Sequence, residues 1–269
     1  MKAPQVLRGD APLLLSMPHS GLALEGLEPR LRSTWIARKD ADWHIPELYA
    51  FAAELGATLV RTEISRTVID VNRDPAGRSL YPGQATTELC PTTTFDGEPL
   101  YLDGAAPSDS EIAQRRARYF DPYHATLNAE ATRLRERHAN VVLYDCHSIR
   151  SNVPRLFDGT LPQFNLGTND GRSCAPSLAA EIATICSTSG FSSVTNGRFK
   201  GGHITRCHGA PASGVHAVQM ELSCRGYLRE PRPDVDPGTW PPPFDADFAE
   251  PLQRVLRRVL QACDAFARR

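Results

Sequence analysis

The chain has 269 residues, 41% hydrophobic and 23% charged, a globular composition that excludes wholesale disorder. At this length roughly 70–75% of the unfolded surface is buried on folding, so no disulfide or structural metal is needed merely to fold. Thirty basic and 31 acidic residues give a net charge of −1, without the positive excess expected of a nucleic-acid binder.

At the N-terminus Lys2 is followed by Arg8 and Asp10, which interrupt any apolar region, so no signal peptide is expected. The longest apolar runs, Ala11–Leu15 and Val141–Tyr144, fall far short of the roughly 18–20 residues of a membrane span. Leu13–Met17, closed by Pro18 and Gly21, reads as a buried strand. Residues 45, 48, 51, 52 and 55 are apolar at helical spacing, which predicts a helix over Ile45–Leu55. Ala57–Arg61 and Thr67–Val71 read as strands. Ser108 and Glu111 fit a capping box opening a long helix, striped by Ile112, Tyr119, Tyr123, Leu127 and Leu134 and broken near Pro122. Val141–Asp145 is the next strand, then come a helix at Pro176–Cys186 and strands at Phe191–Thr195 and Val215–Leu222. A last helix starts near Phe248 and buries Leu252, Val255, Val259, Leu260 and Phe266. The Pro/Gly-rich stretches 75–107 and 229–245 read as surface excursions. Strands alternating with helices, without internal repeats, predict a single α/β domain over 1–269 with a parallel or mixed sheet.

The unusual polar residues cluster at strand ends, where open α/β sheets bind ligands. His19 follows the first strand, Asn72 and Arg73 follow Thr67–Val71, His147 follows Val141–Asp145, and Glu221 lies near the end of Val215–Leu222. Two histidines with one carboxylate would complete the three protein ligands of a catalytic zinc. Asp40 and Asp42 are candidates, although an acid before a helix also serves as a cap. His44 and Glu47 form a competing HxxE pair, with i, i+3 spacing that can hold one metal. A carboxylate in a strand as apolar as Val215–Leu222 is costly unless it is paired or functional, so Glu221 is either a general base or half of a salt bridge. Arg66, Arg73, Arg150, Arg198 and Arg206 surround the same elements and offer forks for carboxylates. The glycine-rich segment 196–206 reads as a lid over an anionic substrate. Cys146, beside His147, points to the opposite strand face and reads as a buried apolar residue. Seven cysteines without a CxxC pair read as reduced thiols and a cytoplasmic location.

These segments, in order, resemble the N-formylglutamate amidohydrolases (N-formylglutamate deformylases) of bacterial histidine breakdown. The matching pieces are Ser16-Met-Pro-His-Ser-Gly21, Asp40-Ala-Asp-Trp-His-Ile45, Ser65-Arg-Thr-Val-Ile-Asp-Val-Asn-Arg-Asp-Pro75, Tyr81-Pro-Gly-Gln84, Asp145-Cys-His-Ser-Ile-Arg150, Asn165-Leu-Gly-Thr168, Asn196-Gly-Arg-Phe-Lys-Gly-Gly202 and Gln219-Met-Glu-Leu222. More distantly, His147, Asn72-Arg73 and Glu221 are similar to positions of aspartoacylases and zinc carboxypeptidases. That wider group uses HxxE, whereas Leu22 stands three residues after His19. The resemblance implies a zinc-peptidase-like three-layer fold with a central mixed sheet. It implies a divalent metal, zinc, on His19, Asp42 and His147. Asp42 is preferred because a helix starting near His44 puts Glu47 in its first turn, where the dipole explains it, and leaves Asp42 unexplained. Glu221 is then the base and Arg66 an oxyanion stabiliser, while Asn72, Arg73 and Arg206 bind the substrate. The substrate implied is N-formyl-L-glutamate, a small anion, with neither nucleic acid nor membrane as partner and the oligomeric state left open. A deacylase or carboxypeptidase-like enzyme for another acylated amino acid, or a non-catalytic binding domain, are the rival readings.

Overall fold

The structure is a computed structural model that describes residues 3–79, 83–231 and 235–269. Lys2, and Tyr81 and Pro82 of the segment 81–84, lie outside the described residues.

In chain order the elements are β1 (Gln5–Leu7), β2 (Leu13–Met17), α1 (Ile45–Leu48), β3 (Thr58–Arg61), α2 (Asp109–Arg115), α3 (Asp121–Arg135), β4 (Val141–Ile149), β5 (Phe164–Gly167), α4 (Pro176–Ser187), β6 (Ser193–Thr195), α5 (His203–His208), β7 (Val215–Ser223) and α6 (Ala246–Ala267). The strands form one mixed sheet in the order β1-β3-β2-β4-β7-β5-β6. Its centre, β3-β2-β4-β7, is parallel, and β1 and β5 pair antiparallel to their inner neighbours.

Alternation along the strands builds two cores. Leu13, Leu15, Tyr144, Cys146, Val218 and Met220 pack with α1, α4 and α6 on one face. Leu14, Val141, Leu143 and Ala217 pack with α3 and Ile204 of α5 on the other. A three-layer α/β arrangement follows, as expected from strands buried on both faces. The last helix is capped by Asp245, whose side chain accepts from the Phe248 amide, and it buries the expected face.

Several elements differ from expectation. The span 45–55 is one α-helical turn followed by a 3₁₀ turn at Ala50–Ala53. Thr67–Val71 is a buried turn rather than a strand. Ser65 Oγ accepts from the Thr67 amide and Asp70 Oδ1 from the Asn72 amide, so local side-chain bonds override the β-propensity of Val68, Ile69 and Val71. The long helix is interrupted by a π-helical turn at Arg116–Phe120, just ahead of Pro122, which has no amide hydrogen to donate. Half of the capping box forms: Ser108 accepts from the Glu111 amide, but the Glu111 carboxylate turns to Arg30 and Arg115. Strand β4 runs on through Ile149, so His147 lies within it and not after it. The Pro/Gly-rich stretches are more than surface loops. Leu89, Leu100 and Tyr101 enter one core and Trp240 the other.

Candidate active site

The period-2 alternation that builds the cores also builds the site. Asp145 and His147 continue the Val141–Leu143 face of β4, and Gln219 and Glu221 continue the Ala217 face of β7. His147 and Glu221 are register partners in adjacent parallel strands, as are Asp145 and Gln219. His19 sits in the turn that ends β2, the other neighbour of β4. Asp42 reaches this edge from the turn before α1, and its amide donates to the His19 carbonyl.

His19, Asp42 and His147 are buried, with one ligand atom of each within 4.8 Å of the others. Each imidazole is oriented by a carboxylate behind it. His19 Nε2 donates to Asp70 Oδ1 at 2.7 Å, and His147 Nε2 donates to Asp145 Oδ2 at 2.8 Å. The bond to Asp70 assigns the His19 proton to Nε2 and leaves its Nδ1 lone pair facing Asp42, while His147 Nε2 also lies 3.0 Å from Asn72 Nδ2 and His147 Nδ1 is hydrogen-bonded to Asp42. Asp42 Oδ2 lies 3.1 Å from His147 Nδ1 and 3.5 Å from His19 Nδ1. His19 Nδ1 and Asp42 Oδ1 have no hydrogen-bond partner. Two buried acceptors left without a donor at one point are unfavourable unless a cation lies between them, and two imidazoles plus a carboxylate suit zinc. Burial opposes charge on His147, but Asp145 and Asp42 outweigh it and hold its pKa well above the usual range. Burial likewise opposes charge on Asp42, yet the two histidines bring its pKa down.

Glu221 lies beside this centre, buried, and accepts from Gln219 Nε2 at 3.1 Å. Burial raises its pKa to about 7, against the pull of His147. A cavity opens over the group, lined by His19, His147 and Glu221 together with the cations Arg66, Arg73 and Arg198. Arg66 donates to Asp70 at 2.6 Å and stacks 4.7 Å from the Phe95 ring centroid. Arg73 donates to the carbonyl and hydroxyl of Thr87. Arg198 donates to the carbonyls of Leu156 and Ala85, which also line the cavity. Asn72 lines the cavity too, but its amide is engaged at both ends. Oδ1 accepts from the Ile204 amide at 2.8 Å, and Nδ2 donates to Asp145 at 3.3 Å. The backbone at Gly202 presses on it, so closely that a Cβ there would stand 2.4 Å from the Asn72 amide nitrogen.

Five sequence candidates lie elsewhere. Arg206 is not among the residues lining the cavity; on α5 its Nε turns back to the Gly201 carbonyl. Asp40 accepts from the Phe95 amide and pairs with Arg150, so both are engaged away from the two histidines. His44 faces the Pro242 carbonyl, and Glu47 is exposed beside it. Asp70, Asp145 and Gln219 had no role assigned from sequence, and Arg198 was read only as one of several arginines able to fork a carboxylate. Asp145 and Gln219 each stand two residues before a candidate and therefore on the same strand face. Cys146 points into the opposite core, where burial pushes its thiol pKa well up.

A sequence profile of the N-formylglutamate amidohydrolase family matches residues 11–228. The N-formylglutamate deformylase of Pseudomonas putida is 49% identical over 261 residues, covering 95% of this chain and 93% of that protein. Its counterpart in Pseudomonas aeruginosa is 47% identical over 263 residues, covering 97% and 96%. Among solved structures, an N-formylglutamate amidohydrolase from Ralstonia eutropha JMP134 superposes with a TM-score of 0.80 at 23% identity, over 100% of this chain and 99% of that one. A protein from Agrobacterium tumefaciens gives 0.69 at 19% identity, over 97% and 96%.

Proposed function

The chain belongs to the N-formylglutamate amidohydrolase family, and from that premise we propose that it hydrolyses N-formyl-L-glutamate to formate and L-glutamate on a zinc ion. The observation that carries the metal is the buried trio of His19, Asp42 and His147, in which His19 Nδ1 and Asp42 Oδ1 have no hydrogen-bond partner. Zinc, when bound, supplies Lewis acidity, lowering the pKa of a water towards ~7 and polarising the formyl oxygen.

The remaining steps belong to the chain. Glu221 takes a proton from the attacking water at a carboxylate oxygen and delivers it to the departing amine nitrogen. Burial favours the neutral acid at Glu221, which helps it accept a proton before releasing it. Arg66, fixed by Asp70 and Phe95, stabilises the developing oxyanion. Arg73 and Arg198 receive the two substrate carboxylates, Arg198 in the place the sequence assigned to Arg206. Asn72 keeps a place in the cavity wall and steadies the Asp145–His147 pair. One catalytic unit spans 1–269, supported by the single sheet and by a family match over 11–228. A cytoplasmic place in histidine degradation is part of this reading. It is supported by the family and by seven free thiols.

The test is metal analysis of the purified protein, with formate release from N-formyl-L-glutamate measured beside release of acetate and amino acid from acetyl- and peptidyl-glutamate. One zinc per chain and preference for the formyl substrate support the reading. Preference for another acyl group makes it a deacylase of a different substrate, and a metal-free, inactive protein makes it a binding domain.

A further inference from the structure

Asp70 is fully buried, and its two oxygens serve different halves of the cavity. Oδ1 accepts from His19 Nε2 at 2.7 Å and from the Asn72 amide at 2.9 Å. Oδ2 accepts from Arg66 Nη2 at 2.6 Å and lies 3.7 Å from Arg73 Nη1. Asp145 offers a contrast. It accepts from His147 Nε2 and Asn72 Nδ2, and among the described residues no ion pair joins it to an arginine.

We infer that Asp70 is a positioning residue that couples the cation-binding half of the site to its anion-binding half. Through one oxygen it sets the tautomer and orientation of His19. Through the other it holds the two arginines that face the substrate. A carboxylate is planar and rigid, so a rotation that favours one set of partners displaces the other. Zinc on His19 and an anion on the arginines therefore influence each other through this one side chain, and the influence is reciprocal. The turn that sequence propensity reads as a strand is what makes this possible. It places Arg66, Asp70 and Arg73 within eight residues and around one point.

This inference rests on the functional reading above. The wild type, Asp70→Asn and Asp145→Asn are stripped with chelator. Zinc affinity is then measured by competition with a chromogenic chelator, and L-glutamate binding and KM at saturating zinc. Both variants should lose about 10- to 100-fold in zinc affinity, the usual cost of removing a carboxylate behind a ligating histidine. At saturating zinc, Asp70→Asn alone should raise KM and weaken L-glutamate binding, by about 5-fold or more. Equal behaviour of the two variants at saturating zinc overturns the inference, because Asp70 then does no more than orient His19. If Asp70→Asn fails to fold by circular dichroism, Arg73, whose side chain is 21% exposed, carries the test. Arg73→Lys keeps the charge but not the geometry, and should shift zinc affinity about 5-fold, whereas an unchanged affinity refutes the coupling. A wild type that neither binds zinc nor releases formate overturns the functional reading itself, and is seen before any variant is compared.

Discussion

Replacing Glu221 by glutamine separates its cost to the fold from its service to the reaction. Burial raises the Glu221 pKa from an ordinary 4.5 to about 7. A raised carboxyl pKa means the fold prefers the neutral acid. Stability from this preference is fully present below pH 4.5 and is lost as pH rises through about 7. The shift of about 2.5 units corresponds to ~3 kcal/mol at 1.36 kcal/mol per unit. Glutamine is neutral at every pH and can still accept from Gln219 through its carbonyl oxygen. His147 acts on the Glu221 charge, so the difference reports this interacting pair, while titrating groups farther away cancel. Urea unfolding of the two zinc-stripped proteins should therefore show the variant gaining on the wild type by ~2 kcal/mol between pH 5.5 and 8.5. Reloaded with zinc, the variant should lose about 10²- to 10⁴-fold in turnover, the worth of a positioned general base. A stability difference that does not change with pH would refute the burial argument. Near-wild-type turnover with zinc bound would refute the assignment of the base.

Asp42→Ala should abolish stoichiometric zinc binding and activity together, while Glu47→Ala should leave zinc content by atomic absorption and turnover nearly intact, because Glu47 is exposed and away from the two histidines. If the Glu47 change strips the metal instead, the site is of the HxxE kind. Arg198→Gln should raise KM for N-formyl-L-glutamate by about 10-fold or more, consistent with the 1.5–3 kcal/mol of a hydrogen bond to a charged group. Arg206→Gln should leave KM unchanged, and steady-state kinetics on the two variants decide between them. Gly202→Ala pushes a Cβ against the Asn72 amide and should cost ~1–3 kcal/mol in thermal unfolding, with a loss of turnover. A variant with wild-type melting and kinetics would show that this contact yields freely.

The layered α/β class was legible because it depends on local patterning. Apolar runs of strand length, the helical stripes of α3 and α6, and their alternation are properties of the chain itself. The site was partly legible for the same reason. A strand sends every second side chain to one face, so His147 and Glu221, once placed on strands, had to share an edge with their neighbours two residues earlier. What the sequence could not decide was which of several similar groups the packed chain would use. Asp40 and Asp42 differ by two positions, yet one meets Arg150 and the Phe95 amide and the other meets two histidines. Arg198 and Arg206 belong to one glycine-rich stretch, and only the first lines the cavity. The turn at 67–71 carries the β-branched residues of a strand, but two side-chain-to-backbone bonds bend it around Asp70. Sequence pattern sets which face a residue occupies within its own element. The direction in which a loop side chain points depends on distant partners, 55 residues away for Asp40 and Phe95 and 113 for Arg198 and Ala85, and only the folded chain brings those together.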